Sequence, residues 1–174
     1  MKKIMGMGFV AGVLLIAGCG KKDASVQVLE IEIPDVFVSE PIDGEPTAIP
    51  EARKAKAGDK IVLSGLVMGV HHPFVEGRGV FVLGDDGTLE PCDAKGDDHC
   101  PTPWDACCDP AELKQAGTVT VQVLGDDGKP IRTGLKGVNG LAELSRVTVS
   151  GTVAENSSPA AFIVNAKAIH VAER

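Results

Sequence analysis

Tyrosine is missing from this chain of 174 residues, tryptophan occurs once, and aromatic side chains make up 3% of it. A broad aromatic binding surface therefore has little to build with, and the abundance of Gly, Val and Ala favours short strands and tight turns. No serine sits in a Gly-x-Ser-x-Gly setting, no glycine-rich loop has phosphate-binding spacing, and no His-Glu-x-x-His occurs. The sequence thus gives no reason to name a reaction, and the expectation is a protein that is not an enzyme. There is no Cys-x-x-Cys pair among the five cysteines, which weighs against the commonest zinc spacing. No apolar run reaches the ~20 residues of a membrane crossing. Basic side chains number 17 against 24 acidic, so charge alone does not draw the chain to phosphate backbones or anionic lipid.

The most informative segment is the first. Met1-Lys2-Lys3 is positive, an apolar stretch runs from Ile4 to Ala17, and it closes on Ile16-Ala17-Gly18-Cys19. A charged start followed by a short apolar stretch reads as an export signal rather than a membrane span or a core helix. The four closing residues resemble a bacterial lipobox. That resemblance implies removal of residues 1–18, acylation of Cys19, and anchorage in a lipid bilayer. A single acyl chain holds a protein only marginally, at about 0.8 kcal/mol per buried methylene, whereas the several chains of a bacterial lipoprotein hold it durably. Gly20 stands where an Asp would retain such lipoproteins in the inner membrane, so the same resemblance implies the cell envelope and, where one exists, the outer membrane.

Residues 19–46 carry Pro34, Pro41 and Pro46 among acidic side chains and read as an extended tether. A short β-like patch from Val26 to Ile33 offers the alternative of a strand added to the domain's edge. Residues 47–174 are of a length for one domain. Alternation places strands at Lys60–Gly69, with Ile61, Leu63 and Val67 on one face, at Gly79–Leu83, and at Gly117–Leu124, with Val119, Val121 and Val123 inward. A helical or turn-rich connection at Gly134–Leu144 precedes strands at Arg146–Val153 and Ala161–Val171. His170 falls, by simple alternation, on the face of Phe162, Val164 and Ala166, as a half-buried histidine.

Ile49-Pro50-Glu51-Ala52-Arg53-Lys54-Ala55 leading into Ala57-Gly58-Asp59-Lys60-Ile61-Val62-Leu63-Ser64-Gly65 resembles the opening of secreted bacterial OB-fold domains, in which a helical lead-in runs into a strand ending at a glycine bend. Val147–Val153 and Phe162–Ala166 are similar to the last two strands of those domains. The expected fold is all-β: a five-stranded OB-fold-like barrel with a short helix and a cysteine-containing acidic insert, residues 85–112, between strands 2 and 3. A small β-sandwich is the competing architecture. The hexapeptide Val82-Leu83-Gly84-Asp85-Asp86-Gly87 recurs as Val123-Leu124-Gly125-Asp126-Asp127-Gly128; neither copy supplies the further oxygens of a calcium loop, and Asp-Gly after a valine strand is what a tight turn uses.

The insert holds nine acidic side chains against the one base Lys95, and it holds Cys92, Cys100, Cys107 and Cys108, every cysteine other than Cys19. Its centre, His99-Cys100-Pro101-Thr102-Pro103-Trp104-Asp105-Ala106-Cys107-Cys108, resembles a segment of uncharacterised bacterial envelope lipoproteins and implies no activity. Export to an oxidising compartment, and an insert with little apolar content beyond Trp104, make two disulfides the first expectation, each stabilising the insert by about 2–4 kcal/mol. Bridging of the adjacent pair Cys107–Cys108 is the least favoured of the three pairings. The alternative is a zinc or copper(I) site formed by Cys92, Cys100 and Cys107 or Cys108 with His99, against which stands the difficulty of adjacent cysteines reaching one ion. A redox role is disfavoured because nearby carboxylates raise a thiol's pKa.

His71 and His72 read as surface loop residues. Trp104 is either the insert's private core or, with Asp105, an anchor for a partner. Nucleic-acid binding, which an OB fold suggests, would have to use Phe74 and Phe81 as stacking platforms beside an acidic insert, and is disfavoured. The reading is a monomeric, non-enzymatic lipoprotein acting as a structural or interaction module, with an envelope protein or glycan as partner.

Overall fold

The computed structural model describes residues 35–95 and 100–173; the export signal, Cys19, the Val26–Ile33 patch and His99 lie outside the described residues. A one-turn helix α1 (Ile49–Ala52) leads into strand β1 (Lys60–Leu66). Strand β2 (Val80–Gly84) follows, then the insert, a helix α2 (Ala111–Gly117) and strand β3 (Thr118–Gln122). Strands β4 (Arg146–Val153) and β5 (Ile163–Val171) complete the set. The five strands close into a barrel in the order β1-β2-β3-β5-β4, with β3 and β5 parallel and the other pairs antiparallel. The fold is the expected all-β, OB-like barrel, with its insert between β2 and β3.

Alternation explains the closure. Leu63 and Val67, Phe81 and Leu83, Val119 and Val121, Val147 and Val149, and Val164 all project into the barrel with at most 1% of their surface exposed. Each such side chain contributes about 1.5–3 kcal/mol on burial, and together they fill the interior with side chains, as in other small barrels. Strand β1 pairs along its whole length with β4 but meets β2 only at Leu66 opposite Gly84. At that crossing Gly65 has no room for a side chain, since a Cβ would collide with the carbonyl of Gly84. The glycine seen in the sequence as a bend is thus also a point of backbone approach.

Three expectations need correction. First, the β4–β5 ladder slips between Ser150 and Gly151, which pair with Ala168 and Ala166. This bulge at Lys167 resets the alternation, so that Ile169, fully buried, takes the core position and His170 turns to the outer face opposite Thr148. Second, the connection at Gly134–Leu144, expected to be helical or turn-rich, is turn-rich, with a 3₁₀ turn at Val138–Gly140, and the short helix α2 stands before β3 rather than between the third and fourth strands. Third, the stretch assigned to the tether is docked from Val36 onward. Strand β3 pairs with β5 only as far as Asn165, which leaves the second half of β5 with an open edge. Val36 and Val38 fill it through backbone hydrogen bonds to Ile169 of 2.7 and 2.9 Å, and Phe37 packs on the core. This is a single β-bridge centred on Phe37 rather than a full strand.

Candidate functional site

The insert is fastened to the barrel at its first residue. Asp85 is buried, and its carboxylate accepts from the amide of Ile49 at 2.9 Å, the amide of Gly87 at 3.1 Å and the hydroxyl of Thr88 at 3.0 Å. It thereby serves the first helical amide of α1, which has no side-chain cap of its own. The second copy of the hexapeptide is a plain turn: Gly125 and Lys129 pair at 2.9 Å, Gly128 adopts φ 72°, and Asp126 is exposed. Arg53, just after α1, ties that lead-in to the barrel instead, donating to the carbonyls of Thr118 and Pro159 while its guanidinium lies 5.5 Å over the ring of Phe162.

The insert also has more apolar packing than its composition indicates. Leu89 and Ala106 close on the barrel's Met68 in a second core, flanked by Leu66, Trp104 and Leu144. Backbone bonds from Cys92 to Asp105, from Asp93 to Pro103 and from Gly69 to Trp104 knit the two arms of the loop together and to the end of β1. Lys95 pairs with Asp109 at 2.7 Å; this contact holds the Asp109 carboxyl below the usual range and raises the Lys95 ammonium. Asp105, an expected surface contact, is buried instead, its carboxylate accepting from the Ala106 amide at 2.7 Å. Its carboxylate caps the backbone turn and is not displayed to a partner.

The cysteines converge. Cys92, on a 3₁₀ turn, is buried, and its Sγ lies 3.4 Å from that of Cys107, which in turn lies 3.9 Å from that of Cys108. All three sulfurs fall within 4.8 Å of one another. Cys100 stands beside them, its thiol 3.6 Å from both the carbonyl and the hydroxyl of Thr102. These contacts with Thr102, and smaller ones with Cys92 and Cys107, draw the Cys100 thiol below its ordinary value. Hydrogen bonding that keeps the proton on Cys107, first with Cys92 and then with Cys108, pushes Cys107 up to about 12. The expected pair of disulfides is not formed among the described residues, since an S–S bond needs about 2.05 Å. The reason is geometric: Cys107 has neighbours at similar distances on two sides, so the thiols gather around one point rather than dividing into couples.

A cavity of about 380 Å³ opens between the β1–β2 loop, the insert and the β3–β4 connection. Trp104 forms part of one wall, with its indole N–H donating to the carbonyl of His71 at 3.1 Å. His71 and His72 meet edge to face with ring centres 4.3 Å apart, because the loop bends them together where a strand would separate them. Phe74 supplies an apolar wall, and the ion pair of Lys136 with Glu143 a polar rim. Trp104 thus packs on the second core, as one of the two readings of the sequence has it, and also lines the cavity. Phe81 is fully buried and Phe74 packs against it with ring centres 6.3 Å apart, so Phe81 cannot serve as a stacking platform for bases. The cavity was beyond sequence reasoning, since it joins three loops far apart in the chain; the lone tryptophan was the only signal toward it.

Comparison with known proteins returns no match: no family model, no curated protein and no solved structure corresponds to this chain.

Proposed function

We propose that this chain is an exported envelope lipoprotein, acylated at Cys19, that works as a non-enzymatic binding module with its ligand seat in the cavity beside Trp104. The observation carrying this reading is the cavity itself. At about 380 Å³ it lies within the size range of small-molecule sites, about 300–1,000 Å³, and it combines apolar walls with a few convergent polar groups. It also sits on the β1–β2 loop, the part of an OB fold that takes oligosaccharides and oligonucleotides. The paired histidines, the indole and the Lys136–Glu143 rim suit a sugar ring, which offers an apolar face and a girdle of hydroxyls, and a glycan fragment is the ligand class assigned. The lipobox supports the location, and the acidic net charge weighs against nucleic acid as ligand.

Trp104 is the sole tryptophan and there is no tyrosine, so intrinsic fluorescence comes from one indole, in the wall of this cavity. Cys19→Ser chain, which cannot be acylated, should leave the membrane fraction and serve as the soluble form. Titrating it with cell-wall glycan fragments should shift the emission saturably, and Lys136→Ala with Glu143→Ala should weaken that response. A chain that stays membrane-bound without Cys19 refutes the anchor, and emission indifferent to every fragment refutes the ligand class.

A further inference from the structure

The four insert cysteines sit where neither the barrel nor the cavity needs them: none belongs to the main core. We propose that Cys92, Cys107 and Cys108, completed by Cys100, form a thiolate site for one zinc ion that locks the insert onto the barrel. This goes beyond the ligand seat described above and does not depend on it.

The argument is one of distances. In a tetrahedral zinc centre with Zn–S of about 2.3 Å, neighbouring sulfurs stand about 3.8 Å apart. The separations of 3.4 and 3.9 Å around Cys107 bracket that edge, and all three sulfurs share a sphere small enough for one ion. A disulfide in place of either contact would have to draw its sulfurs together by more than 1 Å, to about 2.05 Å. The objection that adjacent cysteines cannot both reach one ion holds for a strand, where they point apart. Here Asp109 donates to the carbonyl of Ala106 at 3.0 Å, closing a turn with Cys107 and Cys108 at its corners, and the turn brings both sulfurs to the same side. The frame around the site is fixed: Cys92 and Asp93 are bonded to Asp105 and Pro103 of the opposite arm, and Ala106 is fully buried behind the turn. The entry side is open, since Cys107 and Cys108 are exposed.

The chemistry balances without an oxidant. Each ligating thiol gives its proton to solvent, so four thiols and one Zn²⁺ yield a complex of charge −2 and four protons, and no electron is transferred. Thiolate ligands select thiophilic ions over the calcium or magnesium that the surrounding carboxylates alone would favour. The consequence for the protein is mechanical. The ion ties the 3₁₀ turn to the Cys107–Cys108 turn, and with them the arm that carries Trp104 into the wall of the cavity.

The test uses the full chain, extracted from membranes in detergent, with metal content and accessible thiols measured on the same sample. One zinc per chain is expected, removable by chelator, after which Co²⁺ as probe should give the sulfur-to-cobalt charge-transfer and tetrahedral ligand-field absorptions. Cys107→Ser should lose the stoichiometric ion and these bands, while Cys100→Ser should keep the bands with weaker uptake. Circular dichroism of the barrel serves as the folding control for both, because the barrel core contains no cysteine. A chain isolated without metal and with its insert cysteines bridged overturns the proposal, as does Co²⁺ uptake that is equal in the wild type and in Cys107→Ser.

Discussion

Replacing Asp85 by alanine tests how the insert is fastened, and the chain carries its own control. The carboxylate holds three donors, of which the Ile49 amide belongs to a residue with no exposed surface. Alanine leaves that amide buried and unsatisfied, at a cost of about 1–3 kcal/mol. The Gly87 amide and the Thr88 hydroxyl are only partly buried and regain water, so together they add about 1 kcal/mol. The expected loss is therefore about 2–4 kcal/mol. Asp126 occupies the same place in the repeated hexapeptide but is exposed, and Asp126→Ala should stay within about 0.5 kcal/mol of the wild type. Urea unfolding followed by barrel circular dichroism gives both numbers with one protocol, and an unchanged denaturant slope would show that the unfolded state is not the source. Equal effects at the two aspartates, or an Asp85→Ala loss under about 0.5 kcal/mol, would refute the reasoning that this carboxylate caps α1 across the fold.

Two further perturbations follow from the same geometry. Gly65→Ala drives a methyl group into the Gly84 carbonyl at the β1–β2 crossing, and should cost about 1–3 kcal/mol in the same urea experiment; a neutral result would mean that this crossing can spread freely. The Arg146 guanidinium beside Asp86 holds that carboxyl below its ordinary value. A depressed folded pKa contributes stability above the unfolded value, near 4, and that contribution disappears as pH falls through the folded one. The pair is largely exposed, so the contribution is no more than about 1 kcal/mol and shrinks with salt. Asp86→Asn should accordingly lower the urea midpoint slightly at pH 7 and leave it unchanged at pH 2, whereas a deficit that persists at pH 2 would assign the effect to packing.

The barrel was legible in the sequence because burial in a sheet has period two, and Val119-x-Val121-x-Val123 or Val147-x-Val149 can satisfy it in only one way. The same rule misplaced His170, since a bulge at Lys167 shifts the period and no local signal announces it. The thiol cluster was half legible: the four cysteines and their acidic setting stand in the chain, but whether adjacent cysteines diverge or converge depends on a turn closed between Ala106 and Asp109. The second core at Met68 was hidden because its members come from the end of the first strand and the residues just after it, from the insert, and from Leu144 ahead of β4, so no window of sequence contains them together.

What the sequence determined by itself is whatever depends on neighbours along the chain: the strands and, wherever no bulge intervenes, their inward faces, the turns at both Asp-Asp-Gly copies, and the export-signal pattern ending at Cys19. What only the tertiary structure decided is whatever depends on neighbours in space. The two identical hexapeptides make the point, since both form turns, yet one aspartate is buried as the cap of a distant helix and the other faces water. Hydrogen bonding within four residues is encoded locally, whereas the partner 36 positions away exists only once the barrel has closed and removed the competing water.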